Sequence, residues 1–280
     1  MKDNNQDKLT KSSDVEIDFS KTIAHPGDYI VYSNVNKIKE YYKVKAGACE
    51  TIKQCQNYRR SFFIYFLFRS GRRVSEVTGK FDYKHPYNPF GNYPGFREED
   101  ISWDQNMLKF GILKKKHIKR RDKNMKLKPL EQYQQEIAKK GPKWEWFQFD
   151  DLFIASLKKY LVWANNHNML GTTTDANDKR LFPYARTTAN RIIKDASKAL
   201  KIFLPMNKID SNELRLPHPH SFRHGYASRA VKMMTAPKDI FALKKMLAHS
   251  DIRVTQAYVD LYGGELKSLN EKMFGEKKNG

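Results

Sequence analysis

Residues 217–228 have the sequence PHPHSFRHGYAS. Two of them, Pro219 and Ser221, are typical of the start of a helix. His220 and Arg223 lie three residues apart, so they are predicted to share one face of that helix. The first turn of a helix offers free backbone N–H groups and the positive end of the helix dipole, which favour an anion. Arginine adds a planar fork for two oxygens, and histidine can move a proton near neutral pH. This stretch therefore predicts a pocket for one phosphate at the start of a helix.

Two further stretches place similar residues where a predicted helix begins or ends. In FRSGRRVSEV, Arg73 follows Gly71 and opens a helix, again where an anion can bind. In LKKMLAHSDIRVTQAYVDL, His249 lies between two helices, and Tyr258 follows nine residues later. Taken alone, Tyr258 is most simply an ordinary half-buried helix tyrosine. Its distance from His249 and its position after residues 217–228 favour a functional role.

The composition indicates a folded protein with a polyanionic partner. The chain has 280 residues and a net charge of +21, and nucleic acid is the commonest polyanion, with a membrane surface as the alternative. An apolar fraction of 40% is enough for a core. No stretch approaches the ~20 apolar residues of a membrane span, and no signal peptide is expected. Cys49 and Cys55 are too few for a disulfide scaffold or a zinc site, and we interpret them as reduced thiols of an intracellular protein.

The apolar pattern predicts an α+β fold that is mostly α-helical. Residues 1–25 are polar and are expected to form a flexible tail. Helices are predicted at about 33–47, 51–69, from 74 onward, 149–167, 187–200, 220–234, 238–247 and 254–261. Gly71 ends the second of these helices. The cluster 62–68, with its phenylalanines, is predicted to be core rather than a platform for stacked bases.

A small three-stranded antiparallel sheet is predicted in the middle of the chain. Residues 80–98 contain three prolines and two glycines, so we expect a long loop. Strands are predicted at 101–103, 108–113 and 127–130. The basic stretch KKKHIKRRDKNMK would form the charged tip of the hairpin between the second and third strands.

Five residues, in chain order, resemble the tyrosine recombinase family, also called phage integrases: Arg73, His220, Arg223, His249 and Tyr258. The family's G-x-R-[IV]-S-E turn is matched by GRRVSE, and its H-x-x-R-H by HSFRH. Its L-G-H is matched by LAH, with Ala248 in place of the glycine, which we interpret as a minor change. The resemblance covers roughly residues 30–270, and the motifs are specific because all of them occur in order with the right short spacings.

The resemblance implies an enzyme that cleaves and rejoins DNA through a covalent 3′-phosphotyrosine at Tyr258, without metal, ATP or cofactor. Arg73 and Arg223 would hold the non-bridging oxygens of the phosphate. His220 would accept the tyrosine proton, and His249 would hydrogen-bond the phosphate. The family also has a catalytic lysine on the hairpin after the second strand. Three lysines lie there, and the register of the strand favours the middle one: Lys114, Lys115 and Lys116.

Other charged and aromatic residues near these motifs receive structural interpretations. Glu76 would support the first arginine, and His224 would be structural. Arg72 is interpreted as a solvated or DNA-facing charge. Tyr262, one turn after Tyr258, would pack the C-terminal helix, and the basic residues 119–121 would form a solvated tip or approach DNA.

The predicted domain organisation is a catalytic domain over residues 26–280, preceded by the tail. Fewer than about 30 residues precede the family-like region, so the family's N-terminal DNA-clamping domain is expected to be absent. Residues 262–280 would form an exchanged C-terminal tail in a homotetramer on double-stranded DNA. The expected location is on DNA in the cytoplasm, or in the nucleus of a eukaryote. The favoured function is a site-specific recombinase or integrase, either of a virus, plasmid or other mobile element or one that resolves chromosome dimers. The alternatives are a type IB topoisomerase-like enzyme and an inert DNA-binding relative.

Overall fold

The computed structural model describes residues 29–81, 92–93, 95–113, 126–127, 129, 131–132, 142–172, 178–205 and 214–262. Eight helix predictions fall within these ranges, and each is confirmed with its ends shifted by a few residues at most. The corresponding helices are α1 Tyr32–Ala46, α2 Ile52–Ser70, α3 Val74–Thr78, α4 Asp151–Asn166, α5 Arg186–Ala199, α6 Pro219–Lys232, α7 Asp239–Met246 and α8 Ile252–Tyr262. None of the helices in these ranges is long and apolar enough to cross a membrane.

Helix α2 begins and ends at residues whose side chains and backbone cap it. At its start, the Thr51 side chain accepts from the Gln54 N–H at 3.2 Å, and the Gln54 side chain accepts from the Thr51 N–H at 2.9 Å. At its end, Gly71 has a left-handed backbone with φ 60°. A Cβ on Gly71 would lie 2.7 Å from the ring of Tyr226 on α6. Glycine therefore both terminates α2 and lets α6 approach the chain that follows.

The three-stranded sheet is antiparallel, in the order β3 Ile101–Ser102, β4 Met107–Ile112 and β5 Lys143–Gln148. The prediction of the third strand at 127–130 is wrong, because β5 is the strand that pairs with β4. Phe147 on β5 is buried, whereas Leu127 is 60% exposed and offers no buried face. The sequence of β5, KWEWFQ, comes directly after Gly-Pro in the chain and is rich in aromatic residues, which suit a strand with one buried face.

The prediction of one sheet is also incomplete. Two short antiparallel pairs join β1 Lys80–Phe81 to β2 Asn92–Tyr93, and β6 Leu204–Pro205 to β7 Leu214–Arg215. The first pair lies inside the segment predicted as a loop. Two-residue strands leave no periodic pattern in a sequence, so they could not be predicted from it.

The helices and the inner face of the sheet enclose two hydrophobic cores of unequal size. The larger core includes Phe63 and Phe66 of α2, which are fully buried, so the prediction that cluster 62–68 is core is confirmed. The smaller core joins α6, α7 and α8 through five buried residues: Ala227, Val231, Leu243, Leu247 and Tyr258. Helix α6 contributes to both cores, because Phe222 belongs to the larger one.

Candidate active site

Arg73 lies at the turn between α2 and α3, where its side chain is held by a buried carboxylate. Its guanidinium donates to Glu76 Oε1 at 2.9 Å, and its backbone N–H donates to Oε2 of the same residue at 3.1 Å. The Glu76 side chain is fully buried. This pair fixes the start of α3 and, with it, the direction of the Arg73 side chain.

Arg223 lies on α6 and connects two segments that are far apart in the sequence. It is 1% exposed. One of its terminal nitrogens donates to the Gly71 carbonyl at 2.8 Å, and the other donates to the Leu247 carbonyl. The arginine motif after α2 and the histidine motif after α7 are therefore joined through one guanidinium.

Arg72 is fully buried, so its interpretation as a solvated or DNA-facing charge is wrong. Its guanidinium lies 3.9 Å from the centre of the Phe147 ring, beneath the sheet. Both of its terminal nitrogens lack a hydrogen-bond partner among the residues that the structure describes. Burial lowers the pKa of Arg72 to about 10. A sequence gives little sign of such a position, because two adjacent arginines look alike until the strand that covers one of them is known.

Positive charge exceeds negative charge in this part of the site. Burial alone would raise the pKa of Glu76, but the guanidiniums of Arg73, Arg72 and Arg223 hold it below its ordinary value. Burial and the charge of Arg73 together lower the pKa of Arg223 to about 9. Three guanidiniums that act on one carboxylate leave a local excess of positive charge, so the site favours a bound anion.

Tyr258 places its hydroxyl within reach of this charge. The residue is on α8 and is 5% exposed. Burial raises the pKa of its hydroxyl to about 12, against the opposing effect of Arg223 and Arg73. The same two cations would stabilise a phenolate here and the charge that develops on an attacked phosphate.

His224 is the residue that contacts the Tyr258 hydroxyl, with its Nδ1 2.6 Å from the phenol oxygen. Burial, followed by the charge of Arg223, lowers the pKa of His224 to about 3. The imidazole is therefore neutral near pH 7 and is a weak base, suited to holding the tyrosine hydroxyl by a hydrogen bond. His220, the predicted acceptor, is exposed and its ring meets that of His224 edge-on, with centroids 4.3 Å apart. The signal that could have singled out His224 is its position four residues after His220, on the same helix face.

His249 lies against Tyr258, which follows it by nine residues in the sequence. Their rings are nearly parallel, with centroids 6.2 Å apart and planes inclined by 12°. Nδ1 of His249 is 3.0 Å from the hydroxyl of Thr255, a buried residue of α8, so the ring is oriented from the helix that carries Tyr258. Ala248, just before it, has a left-handed backbone with φ 49°. Alanine is strained in this conformation, so its replacement of the family's glycine is not a minor change.

Some predicted residues lie outside the described ranges, notably Lys115 with its neighbours Lys114 and Lys116. The strand before them agrees with the register used to select Lys115, because Phe110 and Ile112 are both fully buried. Residues 1–28, 119–121 and 263–280 and the side chain of Tyr262 also lie outside. Within the described ranges, no group of three or more His, Cys, Asp or Glu residues is arranged to hold a metal ion.

Comparisons with known proteins agree with the motifs. The profile of the phage integrase family matches residues 92–264, a range that includes His220, Arg223, His249 and Tyr258 and begins after Arg73. A comparison with curated proteins found no match.

Several solved structures of recombinases and integrases are similar to the chain. XerA recombinase is 16% identical, with a TM-score of 0.49 over 94% of this chain and 71% of that one. XerH site-specific recombinase, bound to palindromic difH substrate in a post-cleavage complex, is 11% identical, with a TM-score of 0.49 over 87% and 52%. The Tn1549 transposon integrase in complex with transposon right end DNA is 13% identical, with a TM-score of 0.49 over 88% and 67%. The match thus spans about half of the XerH chain.

Proposed function

Because the chain belongs to the phage integrase family of tyrosine recombinases, we propose that it is a site-specific DNA recombinase or integrase that uses Tyr258 as its nucleophile. The observation that carries this proposal is the position of the Tyr258 hydroxyl. It is buried, it contacts a neutral histidine, and it lies within the field of Arg223 and Arg73. A tyrosine that only packs in a core does not require a histidine partner or two nearby arginines.

The proposed reaction exchanges one phosphodiester bond for another. The Tyr258 oxygen attacks phosphorus, the bond from phosphorus to the 5′ oxygen breaks, and the 3′ phosphate becomes attached to the tyrosine. Rejoining reverses the step, so the bond energy is kept and ATP is not required. We assign Arg73 and Arg223 to the non-bridging oxygens and His249 to a hydrogen bond with the phosphate.

Two protons must move in this step. We assign the tyrosine proton to His220, the acceptor that the resemblance implies, because the low pKa of His224 makes that ring a weak base. His224, whose ring nitrogen is 2.6 Å from the hydroxyl, would orient it, and the exposed His220, in edge contact with His224, would pass the proton to solvent. The departing 5′ oxygen needs a proton as well, and we assign its delivery to Lys115 from the resemblance.

We further propose that the substrate is double-stranded DNA and that the protein acts as a homotetramer with an exchanged C-terminal segment 262–280. The net charge of +21 supports a polyanionic substrate. Binding to DNA is then expected to weaken steeply with salt, because bound lysines and arginines displace counterions. A flat salt response would contradict the choice of DNA. Deletion of residues 265–280 is expected to weaken cooperative assembly on DNA.

The proposed function is tested by trapping the covalent complex on a nicked suicide duplex. Wild-type protein is expected to become attached to DNA, and mass mapping should place the modification on Tyr258. Tyr258→Phe should bind DNA without attachment, whereas Tyr226→Phe, a matched change at a partly buried tyrosine of α6, should still attach. Attachment in Tyr258→Phe would refute the assignment, and no attachment in wild type would indicate the inert relative. Equal cleavage of random and specific duplexes would favour the topoisomerase-like alternative.

A further inference from the structure

A cavity of about 670 Å³ lies beside the candidate active site, between β5 and α7. It shares His249 with that site. Its size is within the range of ~300–1,000 Å³ that is common for pockets that take small ligands. Besides His249, its lining includes Glu145, Trp146, Phe241, Lys244 and Lys245.

Two large aromatic side chains in this cavity remain unburied. Trp146 is 40% exposed and Phe241 is 64% exposed, although most phenylalanines of the described chain are in the core. Trp146 points away from the core because it alternates with the buried Phe147 along β5. Isolated exposed apolar residues are common, but two aromatic residues that line one cavity beside a reaction centre form a surface for a flat apolar partner.

The rest of the lining is suited to an anion. Phe241, Lys244 and Lys245 lie three and four residues apart on α7, so one helix face presents an aromatic ring and two ammonium groups. Lys109 is not part of the lining but lies close to it, with its Nζ 5.8 Å from the centre of the Trp146 ring. Glu145 is the opposing charge, and it pairs with Lys143 at 2.7 Å. The cavity thus combines aromatic faces with an excess of positive charge.

We propose that this cavity holds one unpaired nucleotide of the strand next to the scissile phosphate, with its base against Trp146 and Phe241 and its phosphate on Lys244 and Lys245. In a duplex the faces of a base are covered by its neighbours, and only the edges are open to the grooves. A base therefore has to leave the stack before an aromatic side chain can cover its face. The inference rests on the proposed function, in which exchange of strands requires bases beside the break to leave their first partners.

The test is equilibrium binding of two probes by the full-length chain carrying Tyr258→Phe, so that no covalent step intervenes. One probe is a nicked duplex with one unpaired 2-aminopurine nucleotide beside the nick, and the other is the same duplex fully paired. The parent is expected to prefer the first probe and to quench its fluorescence by stacking. Trp146→Ala and Phe241→Ala should each reduce that preference by roughly 5- to 150-fold, the equivalent of one stacked base.

Trp144→Ala is the matched control. Trp144 is two residues away on the same face of β5, is 36% exposed and also lies near Lys109, but it is not part of the cavity lining. Its substitution should leave both the preference and the quenching unchanged. Equal preference in Trp146→Ala and Trp144→Ala, with both variants folded by circular dichroism, would overturn the proposal. That outcome is distinct from a failure of the proposed function, which would appear as absence of covalent attachment in the wild-type chain.

Discussion

The arginine side and the tyrosine side of the candidate site rest on cores of different size. Arg73 follows α2, which runs through the larger core, and Glu76 fixes its side chain from below. Tyr258 is itself one of the five buried residues of the smaller core, which joins α6, α7 and α8. The two sides meet at Arg223, which donates to a carbonyl on each.

This difference predicts that the tyrosine side moves more readily than the arginine side. Segments with few buried apolar contacts open at a lower free-energy cost than those in a large core. The groups assigned to bind phosphate are therefore expected to keep their positions, while α8 can shift Tyr258, the proposed nucleophile, toward or away from them. Four predictions test this contrast.

The largest effect is expected from Arg223→Ala. Loss of a guanidinium that stabilises the transition state should lower the single-turnover cleavage rate by on the order of 10²–10³-fold. Arg73→Ala should lower the rate to a similar extent, but only Arg223→Ala also removes the link between the two sides. The rate is measured on a nicked duplex. Loss of the two hydrogen bonds from Arg223 to the Gly71 and Leu247 carbonyls is measured as a lower Tm. The control is Arg253→Ala, which removes an exposed arginine of α8 paired with Asp251. It should change neither the cleavage rate nor the Tm strongly.

A substitution in each core should separate the two sides. Leu247 in the smaller core and Leu157 in the larger core are both fully buried, so replacement of either by alanine should cost about 2–5 kcal/mol. Leu247→Ala is expected to speed amide hydrogen exchange in α8 while α2 stays protected. Leu157→Ala should lower the stability of the whole domain. If α2 and α8 lose protection together in Leu247→Ala, the two sides are a single cooperative unit.

A fall in pH should destabilise the tyrosine side first. The pKa of His224 is lowered to about 3 in the folded protein, and that of His218 to about 4, mainly by burial. The unfolded chain therefore binds more protons below pH 6.5, and stability present above that pH is lost as the pH falls toward 4. The slope should approach ~1.4 kcal/mol per pH unit for each proton. Urea unfolding across this range should show a shallower loss in His224→Gln, and an unchanged slope would exclude His224 as the source.

The smallest expected effect is a gain of stability in Ala248→Gly. An L-residue in the left-handed region costs roughly 1–2 kcal/mol, part of which glycine returns through its greater freedom in the unfolded chain. We expect a net stabilisation of about 1 kcal/mol or less, visible as a higher Tm. Ala257→Gly, within α8, should instead lower stability by about 1 kcal/mol. A lower Tm in Ala248→Gly would show that the turn before His249 is not strained.

The helices and the motif residues could be predicted because local chemistry determines them. Thr51, Gln54 and Gly71 mark the ends of α2, and the spacing from His249 to Tyr258 corresponds to a turn and the start of a helix. What could not be predicted depends on pairing between distant segments. The strand that completes the sheet, the burial of Arg72 under Phe147 and the contact of His224 with Tyr258 all arise from tertiary packing that leaves no period in the sequence.

The two hydrogen bonds from Arg223 to backbone carbonyls also make the proposed cleavage conditional on an intact fold. A molecule in which the turn after α7 has detached loses its bond to the Leu247 carbonyl and, with it, the alignment of the guanidinium assigned to the phosphate. Partly unfolded molecules would therefore bind DNA through their general charge but would not cut it. In the proposed DNA-breaking reaction, this dependence on the fold would limit damage by misfolded or newly made chains.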